Sequence, residues 1–336
     1  MPTRVAFLVG VLGSYALIAC SNEPASGPAD TGVGDGATAD SGDRDLGTPI
    51  DSGMDGALAD AGGGSDATVE DLGPVSTRLG TAERPTEMII PDSPAPGAPL
   101  LVLLHGYTGD SEGINWYFNM IEHARTRGVY LIIPDGTLDG EGLRYWNATS
   151  FCCGFEPRDA DDETYLRNLV HEAIERFPID PARVYFAGHS NGSFMSLRMA
   201  CRMSDEVAAI AGFAGSDAPT AMPCVPTAPV SILHIHDTPD EDVPYAGRGD
   251  EFHPGAEELV DRWAAFNGCS PGRVSMGANI DLIPDTEGAE TERYHYNGCP
   301  EGVDVVLYKM IGGSHSATFQ DNAWGDVLDW LTAHHR

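Results

Sequence analysis

Over residues 76–336, short apolar runs alternate with longer stretches whose apolar positions recur at helical spacing. Leu100-Leu101-Val102-Leu103-Leu104 is continuous, as expected of a strand buried on both faces. Tyr130-Leu131-Ile132-Ile133 is a second such run, stopped by Pro134. Val184-Tyr185-Phe186-Ala187 and residues 207–213, 230–235 and 303–310 repeat the pattern. Residues 162–177 instead place Tyr165, Leu166, Leu169, Val170, Ala173 and Phe177 on one helical face. Residues 193–203, 257–266 and 322–334 read as further helices, and Pro178-Ile179-Asp180-Pro181 reads as a turn feeding the Val184 strand. Alternating strands and helices predict an α/β fold: a mostly parallel central sheet with helices on both faces.

The first 75 residues lack this pattern, which divides the chain into three parts. Residues 1–20 hold an apolar run behind Arg4, too short to span a bilayer as a mature helix and suited to an export signal. The run ends in Leu17-Ile18-Ala19-Cys20, which resembles the lipobox of bacterial lipoproteins and marks Cys20 as the lipidation site. The alternative is a plain secretory signal with an incidental cysteine. Ser21 in second place gives no reason for inner-membrane retention, so the expected location is the outer cell envelope or beyond.

Residues 21–75 are rich in Gly, Ala and Asp, and no aromatic residue occurs between Tyr15 and Tyr107. Such a segment buries too little apolar surface to offset its ordering entropy and reads as a flexible acidic tether. Its loose Asp-x-Gly units raise calcium binding as an alternative, but the spacing matches neither a calcium loop nor a nonapeptide repeat. The formal charge of −32 argues against a nucleic acid partner, because a polyanion is repelled. Residues 76–336 remain as one folded domain, the part that carries the candidate chemistry.

Beside Cys20 that domain carries six cysteines: Cys152, Cys153, Cys201, Cys224, Cys269 and Cys299. An even number in an exported chain reads as disulfides. Cys269 and Cys299 bracket the last loop-rich insertion and form the expected pair; the other four are unassigned. Zinc is poorly supported, since neither a Cys-x-x-Cys pair nor matching Cys/His spacing occurs, and no metal or cofactor is implied.

Gly188-His189-Ser190-Asn191-Gly192 lies between the Val184 strand and the helix from Ser193. In that context glycines allow a sharp elbow that exposes the Ser190 hydroxyl as a nucleophile; without it, the pattern is only a glycine-rich turn. A serine nucleophile needs a base and an acid, in the chain order Ser, acid, His of α/β hydrolases. His315, in Gly312-Gly313-Ser314-His315 after the last strand, is the expected base. His234 and His236 sit in or beside a strand and read as structural, while His334 and His335 read as solvated. For the acid, Asp237, Asp240, Glu241 and Asp242 compete, and spacing does not choose. The oxyanion donors are expected at the backbone N–H of Asn191 and of Tyr107, with Thr108 as the substitute for the latter. Tyr107 and Trp146 are candidates to line the substrate's acyl pocket, the alternative being core packing.

Further segments are Leu103-Leu104-His105-Gly106, Ile133-Pro134-Asp135-Gly136, Trp146-Asn147-Ala148, Cys152-Cys153-Gly154, residues 179–185, His234-Ile235-His236, Val243-Pro244-Tyr245 and Asn267-Gly268-Cys269. As an ordered set with the elbow and Gly312 to His315, they resemble the polyhydroxybutyrate depolymerase-like group of carbohydrate esterase family one, which includes feruloyl esterases. The resemblance covers residues 80–336 and implies an α/β hydrolase fold and a serine esterase that needs no cofactor. It places the triad acid on Asp240, four residues before Pro244. One departure concerns substrate: relatives often carry an aromatic two places after the histidine, where this chain has Ala317. Short-chain, acetyl or feruloyl esters are therefore expected ahead of solid polyester. The rivals are a polyester depolymerase, a serine peptidase and a noncatalytic surface-binding protein.

Overall fold

The computed structural model describes residues 76–150, 152, 159–219, 223–249 and 251–336. Cys20, the leader, the tether and Cys153 lie outside the described residues. In chain order the elements are β1 (Arg78–Gly80), β2 (Pro85–Ile89), β3 (Ala98–Leu104), α1 (Ser111–Phe118), α2 (Met120–Thr126) and β4 (Tyr130–Ile132). A small hairpin follows, β5 (Thr137–Leu138) with β6 (Arg144–Tyr145), then α3 (Asp162–Arg176), β7 (Ile179–His189), α4 (Asn191–Arg202), β8 (Val207–Phe213) and β9 (Ser231–Asp237). The last elements are α5 (Ala256–Phe266), β10 (Arg273–Ser275), β11 (Glu292–Tyr296), β12 (Val305–Met310) and α6 (Ala323–Thr332).

Ten strands form one sheet in the order β1-β2-β4-β3-β7-β8-β9-β12-β11-β10. The stretch from β4 to β12 is parallel throughout, and short antiparallel strands close both edges. Strand β3 shows why the central runs are continuously apolar. Leu100, Val102 and Leu104 enter one core while Leu101 and Leu103 enter the other. Helices α3, α4 and α5 cover the first face through Leu166, Leu197 and Leu259. Helices α1, α2 and α6 cover the second through Phe118, Met120 and Leu328. No helix among the described residues is long and apolar enough to cross a membrane.

Two sequence expectations change. Residues 179–181 belong to β7 rather than to a turn: Ile179 pairs with Ala98, the register shifts, and pairing resumes at Val184 with Leu100. Pro181 sits inside that irregularity, where no ladder donor is required. His334 is buried, not solvated: its ring bonds the Trp330 carbonyl at 2.8 Å and Asp304 at 3.0 Å. His335 is exposed. Disulfides join Cys201 to Cys224 and Cys269 to Cys299, with Cα separations of 6.2 and 3.9 Å.

Candidate active site

In a parallel sheet the carboxyl ends of the strands share one edge, and loops there can converge. Four such ends supply this site: β3 leads into His105-Gly106, β7 into Ser190, β9 into Asp240 and β12 into His315. Ser190 has φ 52° and ψ −121°, a conformation that non-glycine residues rarely adopt. Its amide donates to the Phe213 carbonyl at 2.9 Å, and its carbonyl receives the amides of Ser193 and Phe194. The elbow closes tightly on its neighbours. A Cβ on Gly192 would lie 2.2 Å from the Leu104 carbonyl oxygen, and one on Gly188 would lie 2.4 Å from the Gly192 backbone. Both positions require glycine for close backbone approach.

His315 Nδ1 lies 2.8 Å from Asp240 Oδ2, and His315 Nε2 lies 2.9 Å from Ser190 Oγ. Because a carboxylate only accepts, Nδ1 carries the proton and Nε2 presents a lone pair to the serine hydroxyl. Asp240 is buried, and its Oδ1 accepts the amides of Asp242 at 2.9 Å and Val243 at 2.8 Å. Burial opposes its charge, but hydrogen bonds from His236, His315 and backbone amides prevail and hold its carboxyl well below the usual carboxylate range. Asp237 has the opposite setting. Both its oxygens are buried without a hydrogen-bond partner among the described residues; burial and the Asp240 charge raise its proton affinity against the pull of the Gly312 and Gly313 amides. The structure thus brings Asp240, and not Asp237, to His315.

The base is held from behind as well. His189 Nε2 donates to the His315 carbonyl at 2.8 Å, and its ring stacks on Phe213. Burial, with the His315 ring adding to it, lowers the His189 pKa to about 4, so the ring is a neutral strut near pH 7. Tyr117 of α1 donates its hydroxyl to the Ala317 carbonyl at 2.6 Å and pins the same loop. Sequence reasoning did not assign these supports. The only signal was that His189 fills a variable position of the Gly-x-Ser-x-Gly pattern.

The Asn191 amide opens helix α4, and the first amides of a helix have no intrahelical acceptor, so this N–H is placed for an oxyanion. Its side chain is engaged elsewhere. Oδ1 accepts the Trp146 amide at 2.6 Å, and Nδ2 donates to the Trp146 carbonyl at 2.9 Å. The same Nδ2 lies 3.4 Å from Cys152 Sγ. On the opposite loop, the Thr108 amide donates to the Arg144 carbonyl at 2.9 Å. The Tyr107 ring is half-buried and its hydroxyl donates to Asp139 at 3.1 Å.

Trp146 takes the alternative place, in core packing. It is fully buried, its indole N–H donates to the His105 carbonyl at 3.1 Å, and its ring packs on His105. His105 is likewise internal, bonding the Gly106 carbonyl through Nδ1 and the Gly136 amide through Nε2. Trp146 and His105 therefore brace the oxyanion loop from inside the protein.

A nucleophilic elbow on a parallel sheet, facing a histidine bonded to an acid, defines an α/β hydrolase, and comparison with known proteins agrees. The chain belongs to the esterases of that fold. It is 30% identical over 240 residues to the putative esterase NocK of Nocardia uniformis subsp. tsuyamanensis, covering 67% of this chain and 68% of that protein. It is 28% identical over 242 residues to feruloyl esterase B of Piromyces equi, covering 68% of this chain and 42% of that one. A third relative, poly(3-hydroxyalkanoate) depolymerase C of Paucimonas lemoignei, is 25% identical over 235 residues, covering 67% and 50%. The chain thus spans about half or less of the length of the latter two. Among solved structures, acetyl xylan esterase from Aspergillus awamori superposes with a TM-score of 0.54 over 76% of this chain and 98% of that one, at 15% identity, a likeness of fold alone. No family model matches the chain.

Proposed function

We propose that this chain is an exported serine esterase, tethered to the cell envelope through Cys20, that hydrolyses carboxylic esters by way of an acyl-enzyme. The observation that carries the reading is the continuous set of contacts from Ser190 Oγ through His315 to Asp240. Ser190 Oγ attacks the ester carbonyl carbon while His315 Nε2 takes the hydroxyl proton. The tetrahedral oxyanion is received by the backbone amides of Asn191 and Tyr107. Collapse breaks the bond to the alkoxide, which leaves as an alcohol with the proton from Nε2. Water then repeats the sequence on the acyl-serine, releasing the acid and restoring Ser190. Asp240 remains ionised throughout and stabilises the imidazolium in its productive orientation.

Soluble short-chain, acetyl or feruloyl esters suit this site better than solid polyester. Ala317 stands where relatives often carry an aromatic, and nearby Phe319 is turned inward onto Tyr117, Phe213 and Trp324. The similarity to a polyhydroxyalkanoate depolymerase favours polyester hydrolysis as a second reading. Initial rates on methyl ferulate, acetylated xylan fragments and p-nitrophenyl butyrate, set against clearing of a polyhydroxybutyrate film, distinguish the two. Wild type is expected to turn over the soluble esters faster at matched accessible ester, and Ser190→Ala to turn over none. Faster film clearing reverses the preference.

Export and anchoring rest on the apolar leader, the lipobox-like Leu17-Ile18-Ala19-Cys20 and the pairing of four cysteines as disulfides. Cells expressing the full chain should incorporate labelled fatty acid into it, and Cys20→Ala should abolish the label. Incorporation by the Cys20→Ala protein contradicts the anchor assignment.

A further inference from the structure

His234 and His236 lie two residues apart on β9, and their rings meet behind the triad acid. Both are buried. His236 Nε2 lies 2.9 Å from the Val243 carbonyl oxygen and 3.2 Å from Asp240 Oδ2. Its other nitrogen, Nδ1, lies 3.1 Å from His234 Nε2. His234 Nδ1 has no hydrogen-bond partner among the described residues.

These contacts determine where the protons sit. A carbonyl only accepts, so His236 Nε2 carries a proton, shared between Val243 and Asp240. A second proton on His236 Nδ1 would have to be accepted by His234 Nε2. That would force the proton of His234 onto its Nδ1, where none of the described residues receives it, and a buried orphan donor costs more than a buried lone pair. The arrangement with His236 neutral instead has His234 Nε2–H donating to His236 Nδ1 and leaves only one lone pair unmet. Burial, reinforced by the neighbouring His236, also keeps His234 uncharged. The two rings thus form a relay of fixed tautomers ending on the acid.

We infer that His236 is a positioning residue for the proposed esterase reaction: its Nε2–H is the fourth donor to the Asp240 carboxylate, and His234 locks the tautomer that makes it one. The other three donors are the Asp242 and Val243 amides on Oδ1 and His315 Nδ1 on Oδ2. With two donors on each oxygen the carboxylate cannot swing, and Oδ2 stays on the imidazole it must orient. His236 moves no proton in the cycle. It draws negative charge away from Oδ2 and so limits how strongly Asp240 attracts the imidazolium. Besides His234 and Asp240, the titratable and charged groups around it are Asp237 on its own strand, Lys309, its register partner on β12, which pairs with Glu292, Tyr245 and His253 from the segment before α5, and His189 and His315 across the site.

The inference rests on the esterase reading for its consequence, whereas the tautomer can be measured without any substrate. Nitrogen-15 spectra of imidazole-labelled wild type should show His236 protonated at Nε2 and bare at Nδ1 near pH 7; a cationic or Nδ1-protonated His236 overturns the inference. For the kinetic consequence, His236→Leu removes the donor, while His236→Gln can return an N–H near the Nε2 position. His236→Leu should lower kcat by about 10- to 100-fold with little change in KM, the range expected for a hydrogen bond to a charged group. The acid limb of its kcat/KM profile should move to higher pH, because a carboxylate stripped of that donor favours the imidazolium. His236→Gln should restore kcat to within a few-fold and return the limb. A folded His236→Leu enzyme with wild-type kcat and an unmoved limb contradicts the assignment. If His236→Leu does not fold, the spectra and the His236→Gln profile still decide. If wild type hydrolyses no ester, the functional reading fails on its own while the spectra continue to test the relay.

Discussion

Two aspartates three residues apart, Asp237 and Asp240, share one turn and have opposite fates. Asp240 is drawn into its ionised form by donors on both oxygens, whereas Asp237 is buried with only the Gly312 and Gly313 amides nearby and no aligned hydrogen bond among the described residues. Environments that push two neighbouring carboxyls apart are what separates a triad acid from a bystander. Asp240→Asn should therefore lose on the order of 10⁴ in kcat, since an amide stabilises the wrong imidazole tautomer. Asp237→Asn should lose far less, and steady-state kinetics on p-nitrophenyl butyrate check both. A crippled Asp237→Asn enzyme beside an active Asp240→Asn enzyme would exchange the two roles. Spacing could not make this choice, because it does not show which carboxyl a turn returns to the strand end; family resemblance pointed to Asp240. Trp146 shows the converse limit. An aromatic near a nucleophile reads equally well as pocket or core, and only the Asn191 clamp on its peptide reveals that it is a brace.

The elements differ in how much of them the chain discloses. Strands β3, β4, β7, β8, β9 and β12 were legible because each carries a run that is buried on both faces and mostly apolar, even where histidines interrupt it as in β9. The edge strands β1, β2, β10 and β11 were not, being short and only partly buried, which leaves little pattern. Helices α1 and α2 escaped notice for a related reason: they have eight and seven residues and meet at Asn119, which takes a left-handed conformation. The elbow between β7 and α4 was the most legible element, and it is also the least tolerant of change. Gly192→Ala would drive a Cβ into the Leu104 and His105 carbonyl oxygens, which belong to the strand end and loop that carry the Tyr107 amide. Denaturant midpoints should record a loss of about 1–3 kcal/mol, the usual cost of overpacking. kcat should fall together with stability, because strain relieved by moving that loop displaces an oxyanion donor. Unchanged stability and kcat would show that the elbow is looser than these distances require.

At the scale of the whole molecule, the parallel part of one sheet delivers Ser190, His315, Asp240 and the His105-Gly106 loop, the proposed catalytic groups, to a single edge from four strand ends. The disulfides act away from that edge: Cys201–Cys224 ties α4 to the segment after β8, and Cys269–Cys299 ties the residues after α5 to those after β11. Sequence pattern was sufficient for this architecture because the order of strand, elbow, acid and histidine follows from the sheet's topology. It was not sufficient for the interior polar network of His234, His236, His189 and Tyr117, whose partners come from distant parts of the chain. In the proposed reaction Ser190 forms a covalent acyl intermediate with an ester substrate. The most direct measurement is the mass of the peptide carrying Ser190 after acid quench during hydrolysis of p-nitrophenyl butyrate, in wild type and in Ser190→Ala. One butyryl group is expected on the wild-type peptide, with a matching burst of p-nitrophenol, and neither in the variant. A butyryl group on another residue, or hydrolysis that persists in folded Ser190→Ala, would contradict it.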